Sequence, residues 1–232
     1  PAAAARIEAN NKLPDPPGTG RYPAMKEEVA SLPKHVVYRP KDLAALGSTK
    51  LGVVAWGNGG CSDDGASTRF HLLELASHGY VVIASGRILS GPGAPPQAPR
   101  TPPQPGQIPP PRTVASDLNV ALDWALAENQ RTGSPYAGRI DPAMVAVSGW
   151  SCGGLQALAA AKDPRVKTVV PPELSREALR GKVNAIAAPA VMDIRLRDGR
   201  TLSTRVEQFR GAGERPLSGD EVVAKFRECA GS

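Results

Sequence analysis

The chain has 232 residues, 41% of them hydrophobic, enough to bury one ordinary domain or one domain with a small appendage. Its formal charge of +6 is spread among 22 acidic residues, and three Phe, four Tyr and three Trp leave little to stack on bases, which argues against nucleic acid as a partner. No apolar run approaches the roughly 18 to 20 residues of a membrane span, and three cysteines, Cys61, Cys152 and Cys229, allow at most one internal disulfide.

The opening PAAAARIEAN is rich in small residues, like a mature terminus just after signal-peptide cleavage. It sets the expectation of a secreted or periplasmic protein, with the cytoplasm not excluded. Residues 1–34 are dense in Pro and Gly and read as an extended, wrapping arm. HVVYRP (35–40) is the first strand candidate and KDLAALG a helical turn. KLGVVAWGNGG (50–60) is a buried strand running into a glycine-rich loop. The next segment, STRFHLLELASHGY, sets Leu72, Leu73, Leu75 and Ala76 on one helical face, and VVIASG is another buried strand.

Residues 88–112 hold ten prolines, so neither helix nor sheet persists there, and the stretch reads as a polyproline-like surface insertion or lid. Beyond it, TVASDLNVALDWALAENQ places Val114, Leu118, Ala121, Leu122 and Ala125 on a core-facing helical stripe. GRIDPAMVAVSG and DPRVKTVVP are two more strands. This alternation predicts an α/β fold built on a parallel sheet with helices on both faces. From residue 172 the period becomes two and charges become dense. The tail (172–232) reads as a small α+β unit: a β-hairpin around Asp198-Gly199, then a helix capped by Ser218 and Glu221. The hairpin is expected to cover or extend the apolar edge left after VKTVV, an edge that would otherwise favour a homodimer.

The chemistry is concentrated in VAVSGWSCGG (145–154). Ser151 lies in G-x-S-x-G spacing after a strand and before the helical LQALAAA, the context of a nucleophile elbow. Gly149, Gly153 and Gly154 are the small neighbours such a turn needs; glycines that merely permit close strand-helix packing are the other reading. An oxyanion hole would come from the backbone amide of Cys152 and one from WGNGGC, best placed at Asn58. Trp150 and Gly59 would border the substrate. If the two loops converge, Cys61 and Cys152 come close enough for a disulfide; two buried free thiols are the alternative. The loop lacks the Lys-Ser/Thr and downstream acid of phosphate or ribose sites, and no metal-ligand spacing occurs, so no cofactor and no metal are expected.

VVAWGNGG, LASHGYVVIASG, DLNVALDWALAENQ, GRIDPAMVAVSGWSCGG and DPRVKTVV together resemble a secreted-type α/β-hydrolase of the dienelactone-hydrolase and cutinase/polyester-hydrolase branch, over residues 20–171. The resemblance implies Ser151 as nucleophile, Asn58 and Cys152 as oxyanion donors, and a small-molecule or polymeric ester as substrate. That family orders its triad Ser, Asp, His, yet no histidine follows Ser151; His35, His71 and His78 all precede it and read as packing or surface residues. Asp198 is the candidate triad carboxylate, in competition with its role in the hairpin turn. Asp63 and Asp64 are weaker candidate bases, read first as solvated loop acids. The tail pieces DGRTL, PLS and KFREC resemble the end of the MmgE/PrpD family, without the region that carries lyase chemistry. Three readings follow: a serine carboxylic ester hydrolase impaired by the absent histidine, a catalytically inactive hydrolase-fold binding or composite protein, and a lyase-family fragment.

Overall fold

Apolar runs rich in β-branched residues make the central strands, and the polar segments flanking them decide how those strands are wired. The computed structural model describes residues 8–96, 110–170, 173–174, 190–195 and 201–206. The chain forms two compact units, Pro1–Pro171 and Pro172–Ser232. In the first, β1 (Ala24–Glu27), β2 (His35–Pro40), β3 (Leu51–Gly57), β4 (Tyr80–Ser85), β5 (Ile140–Gly149) and β6 (Thr168–Val170) form one open sheet, ordered β1-β2-β4-β3-β5-β6.

Strands β4, β3, β5 and β6 are parallel, whereas β2 runs antiparallel to β4 and β1 antiparallel to β2. The sheet is therefore mixed where the sequence predicts it wholly parallel. Between Pro40 and Leu51 the chain makes only a short 3-10 turn at Ala44–Leu46. A parallel return needs a crossover of about a dozen residues or more, usually helical. β1 was not anticipated, because all four of its residues are half-buried and show no apolar alternation.

Every residue of β3 is buried, and its alternate side chains feed two cores. Val54 and Trp56 join Val36, Tyr38, Val82 and Ala84 under Leu72, Leu73 and Ala76 of α1 (Arg69–Ser77). Val53 and Ala55 join Val37, Val81 and Ile83 against Leu118, Ala121, Leu122 and Ala125 of α2 (Ala115–Gln130) and Ala157 and Ala160 of α3 (Cys152–Ala160). Val114, expected on the α2 stripe, is instead the exposed residue preceding the helix; its N–H donates to the Asp117 carboxylate. The N-terminal arm is fastened to α1 by a buried cation. Arg69 donates to the Asp15 carboxylate and to the carbonyls of Asn10 and Leu13, and Asp15 also pairs with Lys26.

In the second unit β7 (Glu173–Leu174), β8 (Ala190–Arg195) and β9 (Thr201–Val206) form an antiparallel sheet of their own. The Ile194↔Leu202 and Arg195↔Thr201 pairs bracket the expected hairpin turn. Asp198, Gly199 and the helix expected over 216–229 lie outside the described residues.

Asp163, just beyond α3, ties that helix to its neighbours: it accepts hydrogen bonds from the backbone N–H and guanidinium of Arg165 and from Asn119 of α2. The Arg165 hydrogen bonds hold its carboxyl down at about 2. A depressed folded-state value stabilises the fold above the unfolded carboxylate value near 4 and is lost as pH falls through about 2. Asp163→Asn is expected to remove about 1–2 kcal/mol of stability at neutral pH and to flatten the loss between about pH 4 and 2. Urea unfolding midpoints across that range measure both.

Candidate active site

The site is built where two parallel strands end at the same level. Gly57, the last residue of β3, is paired with Gly149, the last of β5, so Asn58 and Trp150 leave the sheet side by side. The backbone of α3 is pressed directly onto this end. A Cβ on Gly153 would lie 2.0 Å from the Gly57 carbonyl oxygen and 2.6 Å from the Asn58 nitrogen, and one on Gly149 would lie 2.5 Å from the Gly153 carbonyl. These glycines do serve close strand-helix packing, and the same packing forces the turn between them. Ser151 makes that turn at φ 55° and ψ −123°, a left-handed conformation that an L-residue tolerates only when its surroundings over-determine it.

Ser151 is half-buried, and among the described residues its hydroxyl has no hydrogen-bond partner. The next residue, Cys152, opens α3, where the first amides of a helix have no partner within it. Neither the Cys152 N–H nor the Asn58 N–H donates to an acceptor among the described residues. Asn58 is fully buried, and its side chain is committed to the loop: Nδ2 donates to the Ser85 carbonyl at 2.6 Å and to the Ser62 carbonyl at 3.0 Å. That leaves its backbone N–H as the donor still free.

Cys61 and Cys152 are joined in a disulfide, with Cα atoms 5.2 Å apart across 91 residues of chain. In the chain-entropy view a loop of that length stabilises the fold by about 4–5 kcal/mol. Cys61 is also where the proline-rich insertion returns: its carbonyl accepts the amides of Arg112 and Thr113. Gln156 of α3, which sequence reasoning passed over, donates to the Thr113 carbonyl at 2.7 Å, to Thr113 Oγ1 and to Cys61 Sγ. The readable signal was a lone amide in the apolar run LQALAAA, four residues after Cys152 on the same helical face. Trp150 lies flat against Gly59, where a Cβ would sit 2.4 Å from the indole, and is 52% exposed.

The three histidines are engaged elsewhere. His35 is buried with its ring nitrogens facing the carbonyls of Pro33 and Asp117, His71 packs its ring 5.2 Å from that of Trp56, and His78 pairs with Glu74. Desolvation lowers the proton affinity of the His71 imidazole. Asp63 and Asp64 are structural rather than simply solvated. Asp63 pairs with Arg112, and Asp64 Oδ1 accepts the amides of Ala66 and Leu89. Asp198 lies outside the described residues. No group of three or more His, Cys, Asp or Glu among the described residues could hold a metal ion.

The family described as PETase, PET hydrolase-like, matches residues 105–191, an interval that includes the elbow and α3. No curated protein matches the chain. The family match and the open six-stranded sheet with helices on both faces agree on an α/β-hydrolase-type fold, and the match points to ester hydrolysis. It covers less than half of the chain but runs into the tail as far as residue 191, and nothing found supports a likeness of that tail to the MmgE/PrpD family.

The packing of bare backbone at this end gives a sharp contrast between two glycines. Gly153→Ala should cost about 3 kcal/mol or more, because the atoms it meets are backbone and cannot turn aside. Gly60→Ala meets nothing within 4 Å and pays only for its φ of 63°, about 1 kcal/mol. Denaturant midpoints of the two variants, at constant m value, measure the difference.

Proposed function

We propose that this protein is a serine-dependent carboxylic ester hydrolase of reduced catalytic power. The observation that carries the reading is Ser151, held left-handed at a strand-to-helix junction, with the Cys152 and Asn58 amides having no acceptor among the described residues. In the proposed reaction, Ser151 Oγ bonds to the ester carbonyl carbon as its proton passes to solvent. The carbonyl π electrons move onto the oxygen, which Asn58 N–H and Cys152 N–H stabilise. Collapse of this intermediate expels the alkoxide, and water then releases the acid by the same route. Trp150 and Gly59 form the apolar border against which the acyl group lies.

The reduced power follows from proton transfer. A serine hydroxyl is a poor nucleophile without an adjacent base, and each histidine is already committed to other partners. Asp198 lies outside the described residues, so the reading does not rest on it. An oxyanion hole without a complete triad retains roughly 10³-fold catalysis over water in the best-studied serine hydrolase. We also propose an oxidising compartment, extracellular or periplasmic, because the Cys61–Cys152 disulfide persists best there. Among the described residues no helix is long and apolar enough to cross a membrane.

A fluorophosphonate probe should label the protein, and Ser151→Ala should abolish labelling and hydrolysis of p-nitrophenyl acetate. The rate should lack an inflection between about pH 6 and 7, where an imidazole base would titrate. An inflection there, removed by replacing one histidine, would reveal a working imidazole base and overturn the impaired mechanism.

A further inference from the structure

The oxyanion hole asks two amides from distant parts of the chain to meet one oxygen atom at about 2.7–3.1 Å each. One is Asn58 N–H, at the head of the loop Asn58-Gly59-Gly60-Cys61; the other is Cys152 N–H. The first loop contains two successive glycines, and Gly60 sits at φ 63° with nothing within 4 Å of where a Cβ would be. Such a segment holds its shape only through its ends. At one end the Asn58 side chain grips the Ser62 and Ser85 carbonyls. At the other, Cys61 is fixed through every polar group it has. Its N–H donates to the Asn58 carbonyl, its carbonyl accepts Arg112 and Thr113, and its sulfur is bonded to Cys152 and accepts Gln156 Nε2.

Cys61 is also left-handed, at φ 46°, so the disulfide joins one strained non-glycine residue to the immediate neighbour of another, Ser151. Strained backbones of this kind persist only where the surroundings over-determine them. Resting on the Ser151 reading above, we infer that Cys61 and Cys152 are positioning residues: their disulfide sets the direction of both oxyanion amides and the turn of Ser151, and hydrolytic rate depends on it. Its effect falls on kcat, because the aimed amides act on charge that develops after the ester is bound.

The test compares the oxidised protein, the dithiothreitol-reduced protein, the reoxidised protein and the Cys61→Ala/Cys152→Ala double variant, all carrying Cys229→Ala so that only one pair can form. Reduction transfers two electrons and two protons to the disulfide, giving two thiols and the cyclic disulfide of the reagent. Each form is assayed with p-nitrophenyl acetate and a fluorophosphonate, below its melting transition as followed by circular dichroism. The expected result is a fall in kcat and in labelling rate of about tenfold or more on reduction or substitution, with KM within about twofold and recovery on reoxidation. Unchanged kcat with two thiols titrated would overturn the inference and leave the Ser151 reading standing. So would a loss of activity that only tracks the unfolded fraction, which reduced wild-type protein reports even if the double variant does not fold. An oxidised protein that neither hydrolyses the ester nor is labelled would overturn the Ser151 reading, and this inference with it.

Discussion

Everything at this site depends on backbone meeting backbone where Gly153 lies on the Gly57 carbonyl. Because β3 and β5 are in register to their last residues, Gly57 and Gly149, the two loops leave the sheet at one level and α3 can begin directly above them. Side chains at these positions would lift the helix away from the strand ends. The left-handed turn at Ser151 is the local consequence: the chain must reverse from strand to helix within one residue, and the contact leaves no room for a wider loop. The positive end of the α3 dipole lies at this same turn, where it would favour an anion.

Around this contact the buried polar groups build the site rather than react in it. Asn58 uses both side-chain hydrogens to span from the end of β3 to the end of β4, and Gln156 uses its amide hydrogens to hold the returning insertion and Cys61 against α3. Buried amides left unpaired would be costly, so each connection fixes geometry as well as satisfying a donor. The insertion is thereby made part of the site: its return, at Arg112 and Thr113, rests on the same carbonyl of Cys61 that closes the glycine loop. A segment whose composition reads as a tolerated surface excursion ends as a structural support of the elbow.

What could be read beforehand follows from how locally each feature is encoded. The buried strands β3, β4 and β5 are written in their own apolar runs, and the elbow in its own glycines. Asn58 and Cys152 fall side by side because parallel strands bring their carboxyl ends together. Strand direction is a different matter: HVVYRP carries the same apolar pattern in either sense, and only the short connection after Pro40 forces β2 to be antiparallel. Arg69 was equally illegible. A fully buried guanidinium looks like any surface arginine until the carboxylate of Asp15, 54 residues earlier, and two arm carbonyls are brought to it by the fold. Gln156 stood out against LQALAAA, but its partners lie 43 and 95 residues away and could not be named from spacing.

On the proposed reading, the other engagements of the histidines separate positioning from proton transfer. His35 is buried at the start of β2, with its Nε2 3.0 Å from the Asp117 carbonyl of α2. His71 lies on α1 across the sheet from α3, packed on Trp56, and His78 closes the end of α1 through Glu74, which also receives Thr19 of the arm. None of these engagements involves Ser151. In the proposed mechanism the oxyanion amides are aimed instead by glycines, an asparagine and a disulfide packed around the elbow. On the proposed reading, those parts hold the elbow and its two amides without a histidine, and the proton leaves through solvent.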